Sequence, residues 1–315
     1  MKLALIVDKA SQESFYVRDG VAYRLNDDSL YVHPHVIDSR CLIGFWSYAK
    51  LFGDGHMINI SKSELPRIDL DVVIAALELS NWKESLSKIK TAYPNAIIIG
   101  TIKEPSNTIR EFLNNCDVVA SQYSRLDQIN VIKPKFWLPQ PVDVNFIYDM
   151  FFMEQKKIQL FEYQHHHMPR RGNTHQFCQY ISKKFQIPVI QKTTTSDSST
   201  QWKDFIQSWN QSLFHVNMDP EYQYGQQATQ CAVLGTINVG GANDSHYHLY
   251  PTMATNDFDQ LESEIEKCLN DSAYMLNIIT HAWETVNTHY SIPAVSAKLK
   301  ESIHGIQTRS NQFFH

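Results

Sequence analysis

No stretch of this 315-residue chain is apolar for long enough to span a bilayer. Its start, Met1 to Val7, supplies too few apolar positions ahead of Asp8 for the core of a secretory signal. Basic charge is scarce as well: 28 Lys and Arg stand against 33 Asp and Glu, a formal net charge of −5 with His neutral. That balance leaves no general positive field to hold DNA or an anionic membrane. Small basic bunches do occur at Arg170 with Arg171 and at Lys183 with Lys184. The five cysteines, Cys41, Cys116, Cys178, Cys231 and Cys268, are scattered and never at metal-ligand spacing. They point to reduced, mostly buried thiols and a cytoplasmic setting. The Gly-x-Ser-x-Gly elbow, the Walker A loop, His-Glu-x-x-His and a Gly-x-Gly-x-x-Gly after the first strand are all missing. The last absence argues against a standard dinucleotide dehydrogenase. There is no internal repeat of solenoid or propeller length.

What is present is the balance of a globular protein, 43% hydrophobic and 19% charged, long enough for two domains. Short apolar runs alternate with longer helical patterns, which implies βαβ units and a mostly parallel sheet. In the first half, strands are expected at 3–7, 56–60, 72–76, 96–100, 118–120 and 136–138, and helices at 43–52, 82–92 and 108–115. Ser106 and Asn107 resemble the cap of the last of these helices. Residues 16–17, 21–25 and 30–32 fit a small antiparallel excursion. Pro139 and Pro141 make the stretch to Asp143 an extended crossover.

A second series follows, with strands expected at 158–163, 187–191, 212–217 and 236–239. Helices are expected at 174–185, 201–210, 225–234, 257–269 and 272–289, and at 294–303 after Pro293. Gly235 reads as a helix C-cap. The expected organisation is an N-terminal Rossmann-like domain over 1–142, a C-terminal one over 143–292, and a last helix over 293–315 crossing back to the first. Two such halves imply a cleft faced by both sets of strand ends, where open α/β sheets bind ligands.

The segment from Gly225 to Gly241, Gly-Gln-Gln-Ala-Thr-Gln-Cys-Ala-Val-Leu-Gly-Thr-Ile-Asn-Val-Gly-Gly, resembles the donor-binding region of glycosyltransferases with the B-type fold, those of group 1 in particular. In that family a glycine opens a helix, an acidic residue follows five positions later, and a second glycine ends the helix before a buried strand. The strand at 214–219, the loop at 220–224 and the later Tyr250-Pro251 also resemble the family. So do Asp-Val-Val-Ile at 71–74, Cys-Asp-Val-Val-Ala-Ser at 116–121 and Pro-Gln-Pro-Val-Asp at 139–143. The resemblance covers roughly residues 65–290. Where retaining members carry two glutamates, this chain has Tyr222 and Gln230. Gln230 can bond a ribose hydroxyl but brings no charge, and Glu221 is one residue from the first position.

The resemblance implies transfer of a sugar from a nucleotide-sugar to an acceptor hydroxyl, without a bound metal or other cofactor. Basic side chains and helix N-termini would then meet the diphosphate. Arg170 and Arg171 hold the place of such a cradle, and Lys192 is a further candidate. Gly225, Gln226 and Gln227 would open the donor helix, with Glu221 and Tyr224 just before it and Thr229 and Gln230 one turn on. The plain alternative is a surface helix start with core positions at Ala228, Cys231 and Ala232. Asp244, Ser245 and His246 read as a strand-end loop within reach of sugar or acceptor. Three adjacent histidines, 165–167, alternate in direction on an extended chain and do not make a metal site. An inverting reaction needs a base, for which Asp8, Glu78 and Glu104 lie at expected strand ends and His33 and His35 are further candidates. The acceptor (a glycan, a protein or a modified nucleobase) stays open. Two other readings stand beside transfer: a non-catalytic sugar-nucleotide or glycan binder, and an epimerase or hydrolase acting on the donor.

Overall fold

The computed structural model describes residues 1–8, 13–32, 40–77, 81–102, 109–151, 155–165, 173–194, 202–218, 226–241 and 244–312. The chain divides into two compact units. One draws on Met1–Ile37, Cys41–Pro141 and Ile292–His315, the other on Val142–Ser291.

The first unit is built on β1 (Leu3–Val7), whose five apolar residues are all buried, as a strand covered on both faces requires. It pairs in parallel with β5 (His56–Asn59) on one side and β6 (Val72–Ala76) on the other. β7 (Ile97–Ile102), β8 (Val118–Ser121) and β9 (Lys135–Trp137) extend the parallel part. Beyond β5 the sheet turns antiparallel through β2 (Phe15–Arg18), β3 (Val21–Arg24) and β4 (Leu30–Val32). The final order is β4-β3-β2-β5-β1-β6-β7-β8-β9. The expected excursion is therefore present. Asp19 and Gly20, with φ of 50° and 74°, form the two-residue turn that joins β2 to β3, because a right-twisted hairpin favours positive φ at both turn positions.

Helices α1 (Arg40–Ala49), α2 (Trp82–Ala92) and α3 (Arg110–Asn115) belong to this unit. α3 starts at Arg110, and Ile109 precedes it without a side-chain cap. Ser106 and Asn107 lie outside the described residues, and the helix start is later than their spacing implies.

The second unit opens with α4 (Val144–Met150), a helix the sequence pattern does not announce. Asp143 caps it by accepting from the Phe146 amide at 3.2 Å, which ends the proline-bearing crossover. Its sheet is β11 (Val189–Thr194), β10 (Lys157–His165), β12 (Ser212–Val216) and β13 (Ile237–Val239), in that order and all parallel. Around it lie α5 (Thr174–Phe185), α6 (Trp202–Gln211), α7 (Gln226–Leu234) and α8 (Asp244–Leu249). α9 (Phe258–Asn270) and α10 (Ser272–Thr285) follow, and α10 runs into a π-helical turn over Val286–Tyr290. α7 ends as expected at Gly235, φ 67°, with Thr236 N–H donating to Cys231 O and Gly235 N–H to Ala232 O. Asp244, Ser245 and His246 are helical rather than a loop, because α8 packs all three side chains inward.

The last helix, α11 (Ile292–Gln312), contains the 294–303 pattern and runs through most of the 293–315 segment expected to be helical. It packs within the first unit. Val295, Leu299 and Ile303 are buried, the Ser296 hydroxyl donates to Leu51 O, and Lys298 Nζ lies 3.7 Å from the centre of the Trp137 ring. Leu299→Ala should therefore cost about 2–5 kcal/mol in urea unfolding. A chain ended after His289 should lose cooperative unfolding. A soluble, well-folded truncation would show that α11 is dispensable.

Candidate functional site

In the second unit the strand order reverses about β10, which has β11 on one side and β12 on the other. Connections part at such a point and leave room for a ligand outside the carboxyl ends of the strands. Three groups of side chains and a glycine lie on or beside these strands.

At the end of β12, Asn217 is buried, and its Nδ2 donates to Gln227 Oε1 in the first turn of α7 at 3.1 Å. Its other amide atom, Oδ1, is buried with no partner. An unbonded buried amide oxygen costs on the order of 1–3 kcal/mol. The next residue, Met218, donates its amide N–H to the Thr174 hydroxyl at 2.9 Å. This bond ties the first turn of α5 to the end of β12.

β13 ends at Gly240, with φ 81°. A Cβ there would come within 2.4 Å of Met218 Sδ and 3.1 Å of Asn217 O, so only glycine lets the two strand ends approach this closely.

On the β11 side, Glu162 is fully buried in β10. It accepts from Gln191 Nε2 at 2.8 Å, and His175 Nδ1 lies 3.2 Å from each of its oxygens. Neither Glu162 nor His175 stands out in the sequence. The signal that was available is a carboxylate inside a run bound for a sheet buried on both faces, where charges are rare unless paired.

Of the expected donor residues, Gln226 and Gln227 begin α7 and are partly exposed, whereas Thr229 and Gln230 are buried. The Thr229 hydroxyl donates back to Gln226 O at 3.0 Å. Ala228, Cys231 and Ala232 are core positions. Lys192 is partly buried on β11, paired in register with Tyr163. Asp8 is buried just past β1, and its backbone carbonyl accepts from Ser61 Oγ at 2.5 Å. Glu78, Glu104, Arg170, Arg171, Glu221, Tyr224 and Gly225 lie outside the described residues, as do His33 and His35. Among the described residues no cluster of three or more His, Cys, Asp or Glu is placed to hold a metal ion. Cys116, Cys178, Cys231 and Cys268 are buried free thiols. Burial pushes all four above the usual thiol range, Cys116 and Cys268 to about 12, so none is an activated nucleophile.

Behind the strand ends runs a buried polar chain. His215 Nδ1 lies 2.6 Å from Asn238 Oδ1, and His246 Nε2 donates to Asn238 O at 2.8 Å. Burial drives the His246 imidazole down to about 4.

No family model matches the chain, and no curated protein does. Solved structures match it. Trehalose-6-phosphate synthase OtsA is 10% identical over 97% of this chain and 91% of its own, with a TM-score of 0.60. Sucrose-phosphate synthase from Thermosynechococcus elongatus is 11% identical over 81% of this chain and 84% of its own, with a TM-score of 0.54. The pneumococcal O-GlcNAc transferase GtfA, solved with UDP and GlcNAc, is 9% identical over 75% of this chain and 57% of its own, with a TM-score of 0.52. At such identity the likeness speaks for the fold. That fold is the one of B-type glycosyltransferases, with two Rossmann-like domains.

His246 gives the second unit a testable pH dependence. The unfolded chain protonates this imidazole near its ordinary 6.5, the folded chain only near 4. Stability is unaffected by the group above the unfolded value and falls as pH drops through the window between the two, by about 3 kcal/mol. Urea unfolding at pH 7 and pH 4.5 should show this loss, with a shallower fall in His246→Gln. Equal slopes in the two proteins would contradict it.

Proposed function

We propose that this chain is a metal-independent, cytoplasmic glycosyltransferase that moves a sugar from a nucleotide-sugar donor to an acceptor hydroxyl. The observation that carries the reading is the end of β12. There the partnerless Asn217 oxygen lies beside the N-terminus of α7, at the reversal of strand order where this fold takes ligands. The first turn of α7 holds no acidic residue, so its N–H groups and dipole favour an anion.

In the transfer, the acceptor oxygen bonds to the anomeric carbon as the bond from that carbon to the diphosphate breaks. The acceptor proton passes to a base, and charge collects on the departing nucleoside diphosphate. Arg170, Arg171 and Lys192 supply positive charge to that diphosphate. Glu221, Tyr224, Gly225, Gln226, Gln227, Thr229 and Gln230 frame the nucleoside and sugar. Asp8, Glu78 and Glu104 are the candidates for the base at the strand ends of the first sheet.

A second reading, a binder of sugar nucleotides without turnover, is favoured by Gln230, a neutral, buried side chain at a position where retaining relatives place a glutamate. Purified protein tested against UDP-, GDP-, ADP- and TDP-sugars separates the two. Transfer predicts a rise in Tm with one donor, together with slow nucleotide release that is abolished in Arg170→Ala or Arg171→Ala. A rise in Tm without release supports the binder. No shift with any nucleotide removes both and leaves the fold alone.

A further inference from the structure

Resting on the transfer reading for its role, we infer that Lys298, Trp137 and Gln122 of the first unit form an acceptor subsite for a hydroxyl-bearing anion, a sugar carboxylate or a sugar phosphate. The three meet at the carboxyl ends of the last two strands of the sheet. Trp137 closes β9, and Gln122 directly follows Ser121, which closes β8 and pairs in register with Trp137. That edge is where a parallel α/β sheet takes its ligands.

One indole holds the group together. The Trp137 Nε1 donates to the Gln122 backbone carbonyl at 3.2 Å. Over the ring face stands Lys298 of α11, its Nζ 3.7 Å from the ring centre. The quadrupole of an aromatic face attracts a cation, but the ring has no charge with which to neutralise it. Among the described residues no carboxylate forms an ion pair with Lys298. Burial pushes its ammonium below the usual lysine range, and the Glu301 carboxylate one turn on offsets this in part. A charge drawn out of water is costly unless it is paired, and an anion is the partner this one lacks.

Gln122 is a second, independent observation. Its Nε2 donates to the Tyr48 hydroxyl at 2.8 Å, and its Oε1 is buried with no partner. Burial pushes the Tyr48 phenol well above its usual range, so it stays protonated and can serve either end of the amide. Turning the amide over leaves Nε2 unmet in place of Oε1. A hydroxyl both donates and accepts, and satisfies the open atom in either setting. Ammonium and amide together therefore fit a ligand that carries hydroxyls and a negative group. A neutral sugar leaves Lys298 without its anion.

Calorimetry on the full chain at low salt tests this with glucose 6-phosphate, glucuronate, inorganic phosphate and glucose. One anionic sugar should bind at least about tenfold more tightly than glucose and than phosphate. Which of the two it is tells a phosphate from a carboxylate. Lys298→Met keeps a long stem over Trp137 without the charge, and should erase the advantage over glucose with Tm unchanged. Brief acetylation with peptide mapping gives a second readout, in which the anionic sugar slows modification of Lys298 and glucose does not. Equal binding of charged and neutral sugars overturns the inference, whatever any nucleotide-sugar does. Unchanged anion affinity in Lys298→Met overturns it as well. A lower Tm with equal loss for both sugars overturns it in favour of Lys298 merely pinning α11 to β9. If the anionic sugar binds but no nucleotide-sugar does, the transfer reading has failed and the acceptor role falls with it.

Discussion

Burial of the central parallel strands on both faces is the constraint from which the rest of each unit follows. β1 is closed in by β5 and β6 and covered above and below, so each of its five side chains must be apolar. Burial of each such side chain contributes about 1.5–3 kcal/mol. In the second unit Leu160 and Phe161 play this part in β10, with the Phe161 ring edge-on to Trp209 at 6.3 Å. A strand so enclosed has no room for polar work along its length. Chemistry is displaced to the carboxyl ends, where backbone N–H groups emerge and helices begin. The reversal of order about β1 and β10 then decides which ends stand apart enough to admit a ligand.

The second unit departs from this rule in a few buried polar contacts. His215, Asn238 and His246 link β12, β13 and α8. At the opposite end of the sheet, Lys156 Nζ donates to Asn210 O and to Thr236 Oγ1, and the Tyr250 hydroxyl donates to Thr236 O. Contacts of this kind specify one arrangement because a buried polar group left without its partners is costly, whereas apolar packing tolerates several. Glu162 belongs to the same class with one difference. Its imidazole partner, His175, is exposed.

Much of the architecture was legible along the chain. The apolar runs of β1, β6, β8 and β12 and the glycine that ends α7 have local causes: enclosure on both faces, and a left-handed C-cap that only glycine adopts without strain. The antiparallel excursion was legible in the short runs at 16–17, 21–25 and 30–32, and Asp19 and Gly20 make the turn between the first two. Other features were not. α4 depends on Asp143 capping it directly after a proline stretch. α8 is helical because tertiary packing draws Asp244, Ser245 and His246 inward.

The same division holds at the candidate site. The sequence by itself determined that α7 would begin beside a strand end with glutamines in its first turn, because helix starts and strand runs are written in local spacing. It also determined that Gln230 brings no charge. Only the tertiary structure decided that Thr229 and Gln230 are buried, that Asn217 keeps an unbonded oxygen, and that Glu162, His175 and Gln191 meet. Those three residues lie on β10, α5 and β11, and what joins them is the register of a parallel pair and the seating of a helix above it. Both are set by the packing of the whole unit, which no local pattern encodes.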